Sequence, residues 1–102
     1  MAFQLKIAPK AQEDIDKVFS YVLKDGENIA KNQIAVIMDA LDNLKIFPEM
    51  GLLLSNKISI KTDYRFLVIN KGYIAFYKIH KDFIGVYRIL RKEQDYFSIL
   101  DF

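Results

Sequence analysis

The chain has no cysteine and a single histidine, His80. Without a thiol there is no disulfide, no thiolate nucleophile and no Cys-based zinc site, which suits a reducing compartment. One imidazole leaves a His-rich metal centre without its ligands and disfavours a Ser-His-Asp relay, so neither a metal nor a cofactor is expected. No apolar run approaches the roughly 20 residues that a membrane span requires. The opening Met1-Ala2-Phe3-Gln4-Leu5-Lys6 lacks the basic patch and apolar stretch of a signal peptide. The expected location is the cytoplasm, with no membrane partner.

What the chain does have is apolar and aromatic bulk. Its 102 residues fit one domain, 52% of them are hydrophobic, and eight Phe and six Tyr are among them. Burying one such ring contributes roughly 1.5–3 kcal/mol, so an aromatic core can carry a domain of this size. Charge is unevenly placed. Residues 1–56 hold six Lys against eight acids, residues 57–92 hold nine bases against two acids, and the last ten residues hold three acids and no base. The balance of +7 over 57–92 describes either a surface for phosphates or an acidic partner, or a solvated sheet face.

Alternation of Phe3, Leu5 and Ile7 with polar neighbours predicts a short strand. Pro9 then opens a helix, where a first-turn proline is tolerated. Ile15, Val18, Phe19 and Val22 form its apolar stripe, with Glu13, Asp14 and Asp16 near its favourable N-terminal end. Asp25-Gly26 closes it. A second helix from about Asn28 carries Ala30, Ile34, Ile37, Leu41 and Leu44, a seam for antiparallel packing, and Phe47-Pro48 ends it. Residues 48–62 are predicted as loop, with Leu52, Leu53 and Leu54 plugging the gap between hairpin and sheet, or forming a dock for a partner. Three strand runs follow over 64–69, 73–79 and 83–91. Their turns are Asn70-Lys71-Gly72, with Gly72 expected to supply positive φ, and His80-Lys81-Asp82. Short turns join antiparallel neighbours, so these runs form a meander. The fold class is α+β, in the order β-α-α-β-β-β, with a helical hairpin packed on an antiparallel sheet and a C-terminal segment bearing Tyr96, Phe97, Ile99 and Leu100.

Quoted as they stand, Tyr64-Arg65-Phe66-Leu67-Val68, Gly72-Tyr73-Ile74-Ala75-Phe76-Tyr77-Lys78, Val86-Tyr87-Arg88-Ile89-Leu90 and Gln94-Asp95-Tyr96-Phe97-Ser98-Ile99-Leu100 carry a resemblance, joined by Ala8-Pro9-Lys10-Ala11 and Phe47-Pro48-Glu49-Met50-Gly51. In their order and spacing they resemble the RelE/ParE superfamily of toxins from bacterial type II toxin–antitoxin systems, over residues 1–102 as a single domain. The resemblance implies a growth-inhibiting toxin of an addiction or plasmid-stabilisation module, neutralised by a cognate antitoxin. Two targets are open within the superfamily. RelE-like members cut mRNA on the ribosome without metal, and ParE-like members inhibit DNA gyrase; a degenerate, non-toxic relative that only binds its antitoxin is a third reading. Whether the chain is an enzyme is therefore open, and if it is one, it is a metal-independent endoribonuclease.

Metal-free RNA cleavage needs a base, an acid and cations for the charge developing on phosphorus. RelE-like toxins draw these from Arg, Lys and Tyr on the sheet face and tail. Carried over by the resemblance, the catalytic candidates are Arg65, Arg91 and Tyr96, with Phe97 or Phe102 as other occupants of the terminal aromatic role. The candidates for binding RNA or another target are Arg65, Lys71, Arg88, Arg91 and Lys92. Two positions depart from the RelE pattern: Ile74 stands where an Arg often follows Gly-Tyr, and Leu67 where a second base is usual. Isoleucine cannot stabilise a phosphorane, so these residues are more ParE-like. By alternation Arg88 shares a face with Val86 and Leu90, which predicts partial burial beside an acid. Tyr96, Ile99 and Leu100 are expected to pack on the core. Tyr73 and Tyr77 share one strand face as stacking or packing rings, Glu93 is either a general base or a surface charge, and His80 is expected at the surface.

Overall fold

Proline has no amide to donate, and the first helix starts on it: a computed structural model, which describes residues 3–100, shows α1 over Pro9–Val22 directly after strand β1, Gln4–Ile7. A 3₁₀ turn, Leu23–Asp25, follows, and Gly26 adopts φ 122°, a conformation that L side chains avoid. That glycine reverses the chain into α2, Glu27–Asn43. Ala30, Ile37, Leu41 and Leu44 of the predicted seam are buried, and Ile34 packs beside them. The acids expected to favour the helix start lie beyond its first turn, and Asp14 among them faces inward at 6% exposure.

The chain then enters a two-residue strand β2, Leu52–Leu53, and the meander β3 (Arg65–Ile69), β4 (Tyr73–Ile79) and β5 (Phe83–Arg91). The sheet order is β1-β5-β4-β3-β2. The meander is antiparallel as expected, but β1 joins β5 in parallel, so the sheet as a whole is mixed. No short turn ties β1 to β5, and the helical hairpin between them leaves β1 free to run in either direction.

Two apolar clusters hold the layers. One lies between the hairpin and the sheet and contains Ile15, Val18, Ile37, Leu41, Tyr77, Ile84, Val86 and Ile89. The other is on the opposite face, where Phe66, Ile74, Phe76 and Leu90 are covered by Leu54, Ile58 and Leu100, with Tyr96 and Ile99 packed against them. The tail therefore packs as expected, through the single turn α3, Tyr96–Ile99. Of the leucine triple only Leu54 fills a core. Leu52 and Leu53 are 66% and 38% exposed, because pairing with Phe66 and Arg65 as an edge strand turns them outward. The first meander turn also differs from expectation. Positive φ falls on Asn70 (50°) and Lys71 (62°) and not on Gly72, since a hairpin turn matched to strand twist needs two successive left-handed residues. Asparagine accepts that region more readily than most side chains.

Tyr77 anchors the chain between α2 and β2. Its ring is fully buried, its hydroxyl donates to Pro48 O and accepts from Gly51 N, both at 2.8 Å. Burial raises its phenol above the ordinary value of 10.0, against the Gly51 hydrogen bond and nearby Arg65. Gly51 lies so close that a Cβ there would sit 2.5 Å from Tyr77 Oη and 2.7 Å from Phe66 O. Gly51→Ala is expected to destabilise the fold by about 2 kcal/mol, as overpacking does, measured by urea denaturation. Tyr77→Phe, which strands a buried amide, should lose about 1–3 kcal/mol. In the wild type, stability should decline as pH rises from 10.0 upward, because the unfolded phenol ionises before the buried one.

Candidate functional site

A break in the β4–β5 register shapes the site. Tyr77 pairs with Val86 but Phe76 pairs with Arg88, so Tyr87 is an extra residue in β5. The bulge undoes simple alternation: Val86 belongs to the hairpin-side core and Leu90 to the opposite one, and Arg88 does not share a single face with both. β1 pairs only as far as Val86, which leaves the rest of β5 beside α1.

There Arg88 meets the buried Asp14. Its Nε and Nη2 donate to the two carboxylate oxygens at 2.7 and 2.9 Å, and Ile89 N donates to Asp14 Oδ2 at 2.9 Å. The hydrogen bonds to Asp14 hold the guanidinium above its usual value, against the opposing effect of burial. This is the acid-paired, partly buried arginine that the sequence predicts, with its partner 74 residues away.

The pair floors a cleft of about 270 Å³ between α1 and the ends of β4 and β5, lined by Lys17, Tyr21, Tyr73, Arg91 and Gln94 around it. The Arg91 guanidinium lies 5.8 Å from the centre of the Tyr21 ring, and the Lys24 ammonium 5.3 Å from the same ring. Gln94 Oε1 accepts the Arg91 amide at 2.8 Å. Lys92 N donates to Gly72 O, which brings Lys92 beside the turn that carries Lys71. The four candidates Lys71, Arg88, Arg91 and Lys92 thus gather at one corner of the molecule. Lys17 and Tyr21 complete it from α1; they sit on the polar side of a helical stripe, and nothing in their local sequence marks them.

The catalytic candidates are engaged with different neighbours. Arg65 Nη1 donates to Gly51 O at 2.8 Å, Arg91 lies over Tyr21, and Tyr96 packs on Phe76 with ring centres 5.3 Å apart. Ile74 is 6% exposed and Phe76 1%, so the sheet face that bears them is filled with apolar side chains. Phe102 lies outside the described residues, as does the side chain of Phe97. Tyr73 and Tyr77 do share a face, the one against the helices. Glu93 is exposed and borders a hollow with Tyr21, Gly72, Tyr73 and Arg91. His80 is only half-exposed: its ring stacks on Phe83 at 4.3 Å, and its Nε2 is 2.7 Å from Tyr87 Oη. No group of His, Cys, Asp and Glu able to hold a metal occurs among the described residues, and no described helix is long and apolar enough to cross a membrane.

A hairpin of helices on one face of a five-stranded sheet, with β1 added beside β5, is a known arrangement. A solved structure titled as the chromosomal ParDE TA system from P. aeruginosa has the same fold, with a TM-score of 0.75 at 20% identity over 90% of this chain and 98% of that one. No curated protein sequence matches. The sequence profile of the ParE toxin of type II toxin-antitoxin system, parDE, matches residues 5–96. The chain therefore belongs to the ParE toxin family, as a toxin component of the type II class.

Arg88→Met is expected to destabilise the fold by about 3 kcal/mol, because it leaves the Asp14 carboxylate buried without its counter-charge. Adding Asp14→Asn should return part of that loss while keeping an acceptor for Ile89 N. Thermal melting of the two single variants and the double variant checks the coupling; strict additivity would mean that the two side chains do not act as a pair.

Proposed function

We propose that this toxin arrests growth by inhibiting DNA gyrase rather than by cutting mRNA, and that it does so in the cytoplasm until a cognate antitoxin binds it. The observation that carries this reading is the filled sheet face. A metal-free nuclease needs cations, a base and an acid converging on one phosphate. At the position where a RelE-like arginine would supply charge, Ile74 is instead buried with Phe66, Phe76 and Leu90 beneath Leu54, Ile58 and Leu100. The guanidinium of Arg65 is engaged with a backbone carbonyl. Inhibition of a large enzyme by binding makes no such demand and needs only an exposed recognition surface.

The basic corner of Lys71, Arg88, Arg91 and Lys92 is the surface proposed to meet the target, with Arg91 and Lys92 exposed. The antitoxin is proposed to cover the apolar rim from Ile46 to Leu53. There Ile46, Phe47, Met50, Leu52 and Leu53 are all exposed, which is more apolar surface than one short segment of a soluble monomer ordinarily shows.

The test is induction of the gene alone in bacteria, with thymidine and amino-acid incorporation followed separately over the first minutes. DNA synthesis is expected to collapse first while translation continues, and purified gyrase should lose supercoiling activity when the toxin is added. Arg65→Ala is expected to keep this effect despite a stability loss of about 1–3 kcal/mol from the missing bond to Gly51. An early stop of protein synthesis, abolished by Arg65→Ala, would overturn the reading in favour of the nuclease.

A further inference from the structure

The cleft between α1 and the end of β5 has an unusual hydrogen-bonding balance. Its one lining carboxylate, Asp14, already accepts three hydrogen bonds, two from Arg88 and one from Ile89 N. The carbonyl oxygen of Gln94 is taken by Arg91 N. What remains to face a ligand is mostly donors: the Lys17 ammonium, the remaining Arg88 N–H groups, the Arg91 guanidinium and the Gln94 amide NH₂, with the phenols of Tyr21 and Tyr73 able to donate or accept. Burial holds the Tyr73 phenol above its ordinary 10.0 against the pull of Arg91, so at neutral pH it carries its proton. Among the described residues neither Lys17 nor Arg91 forms an ion pair. Three cations and one carboxylate line the cleft, which leaves it a formal +2.

A ligand that fits must be rich in acceptors, devoid of cationic groups at its bound end, and close to two negative charges. A single carboxylate supplies one charge and two oxygens. A terminal phosphate supplies about −1.5 to −2 at pH 7 and three acceptor oxygens, and arginine forks and lysine both bind it well. The volume of about 270 Å³ lies at the small end for ligand sites and suits a phosphate with a compact body attached. We propose that this cleft binds the terminal phosphate of a small ligand, through Lys17, Arg88, Arg91 and Tyr73. The site shares Arg88 and Arg91 with the surface proposed to meet gyrase, but it is argued from different observations, the donor balance of the cleft and not the covered sheet face.

The experiment is a titration of the isotope-labelled full chain, followed by amide chemical shifts at low ionic strength, with inorganic phosphate in one arm and adenosine diphosphate in the other. Saturable shifts are expected at Lys17, Tyr21, Tyr73, Ile89 and Arg91. Equal affinity in both arms assigns the site to the bare phosphate group, and tighter binding of the diphosphate assigns it to a nucleotide-like ligand; both support the cleft. Lys17→Ala and Arg91→Ala, both at exposed positions that leave the core untouched, should each weaken binding by about tenfold. Lys57→Ala, on the other side of the sheet, should not change it. No saturation by about 10 mM phosphate, or an equal loss in Lys57→Ala, would reduce the effect to diffuse charge and overturn the proposal. Shifts of the same amides by a short DNA duplex, with no response to either small anion, would overturn it in favour of a nucleic-acid contact.

Discussion

Everything at the basic corner of this molecule hangs on Arg88 and Asp14. β1 stops pairing at Val86, so beyond that point no strand holds β5 on its outer side. The two-pronged bond to Asp14, with Ile89 N as a third donor, is what fastens α1 to that stretch. An inward carboxylate on a helix is costly to bury alone, and an arginine with one face wet is what makes it tolerable. The bulge at Tyr87 lies in the same stretch: the extra residue puts Arg88 opposite Phe76 and Ile89 opposite Ala75, so that Ile89 joins the hairpin-side core next to Asp14. Backbone irregularity, ion pair and cleft are one structural unit.

The two faces of the sheet are closed by different parts of the chain. A sheet has two faces, and here the hairpin takes one of them. The other is closed by a 3₁₀ turn carrying Leu54, by Ile58 and by the tail through Leu100. Apolar residues at 74 and 76 invite that closure, because their exposure would leave large side chains in water. The face is a core because Phe66, Ile74, Phe76 and Leu90 are apolar together, and Leu54, Ile58 and Leu100 cover all four.

The helical hairpin was legible because helix period, Pro9, Gly26 and Pro48 all speak about nearby residues. An acid partner for Arg88 is the right expectation from a premise the bulge breaks, since Val86 and Leu90 lie on opposite faces, and the choice of Asp14 among three acids near a helix start has no local signal. What escaped depended on distant or cooperative geometry. Nothing local distinguishes Leu54 from Leu52 and Leu53; the edge pairing with β3 does. Nothing in Val86-Tyr87-Arg88 announces a bulge. Asn70-Lys71-Gly72 carries a glycine that draws attention away from the two residues that take the left-handed backbone. In the site, Tyr21 meets Arg91 and Lys17 lines the same cleft only when α1 is laid across β5.

An open sheet usually invites further strands, since its outermost chain offers a row of free amides and carbonyls. Along the second half of β5 that invitation is withdrawn: Asp14 has taken the amide of Ile89, and Gln94 that of Arg91. A neighbouring molecule trying to zip onto this border would have to evict a carboxylate already bound to an arginine. On this side the chain is thereby guarded against edge-to-edge self-assembly by two side chains that stand in for a missing strand.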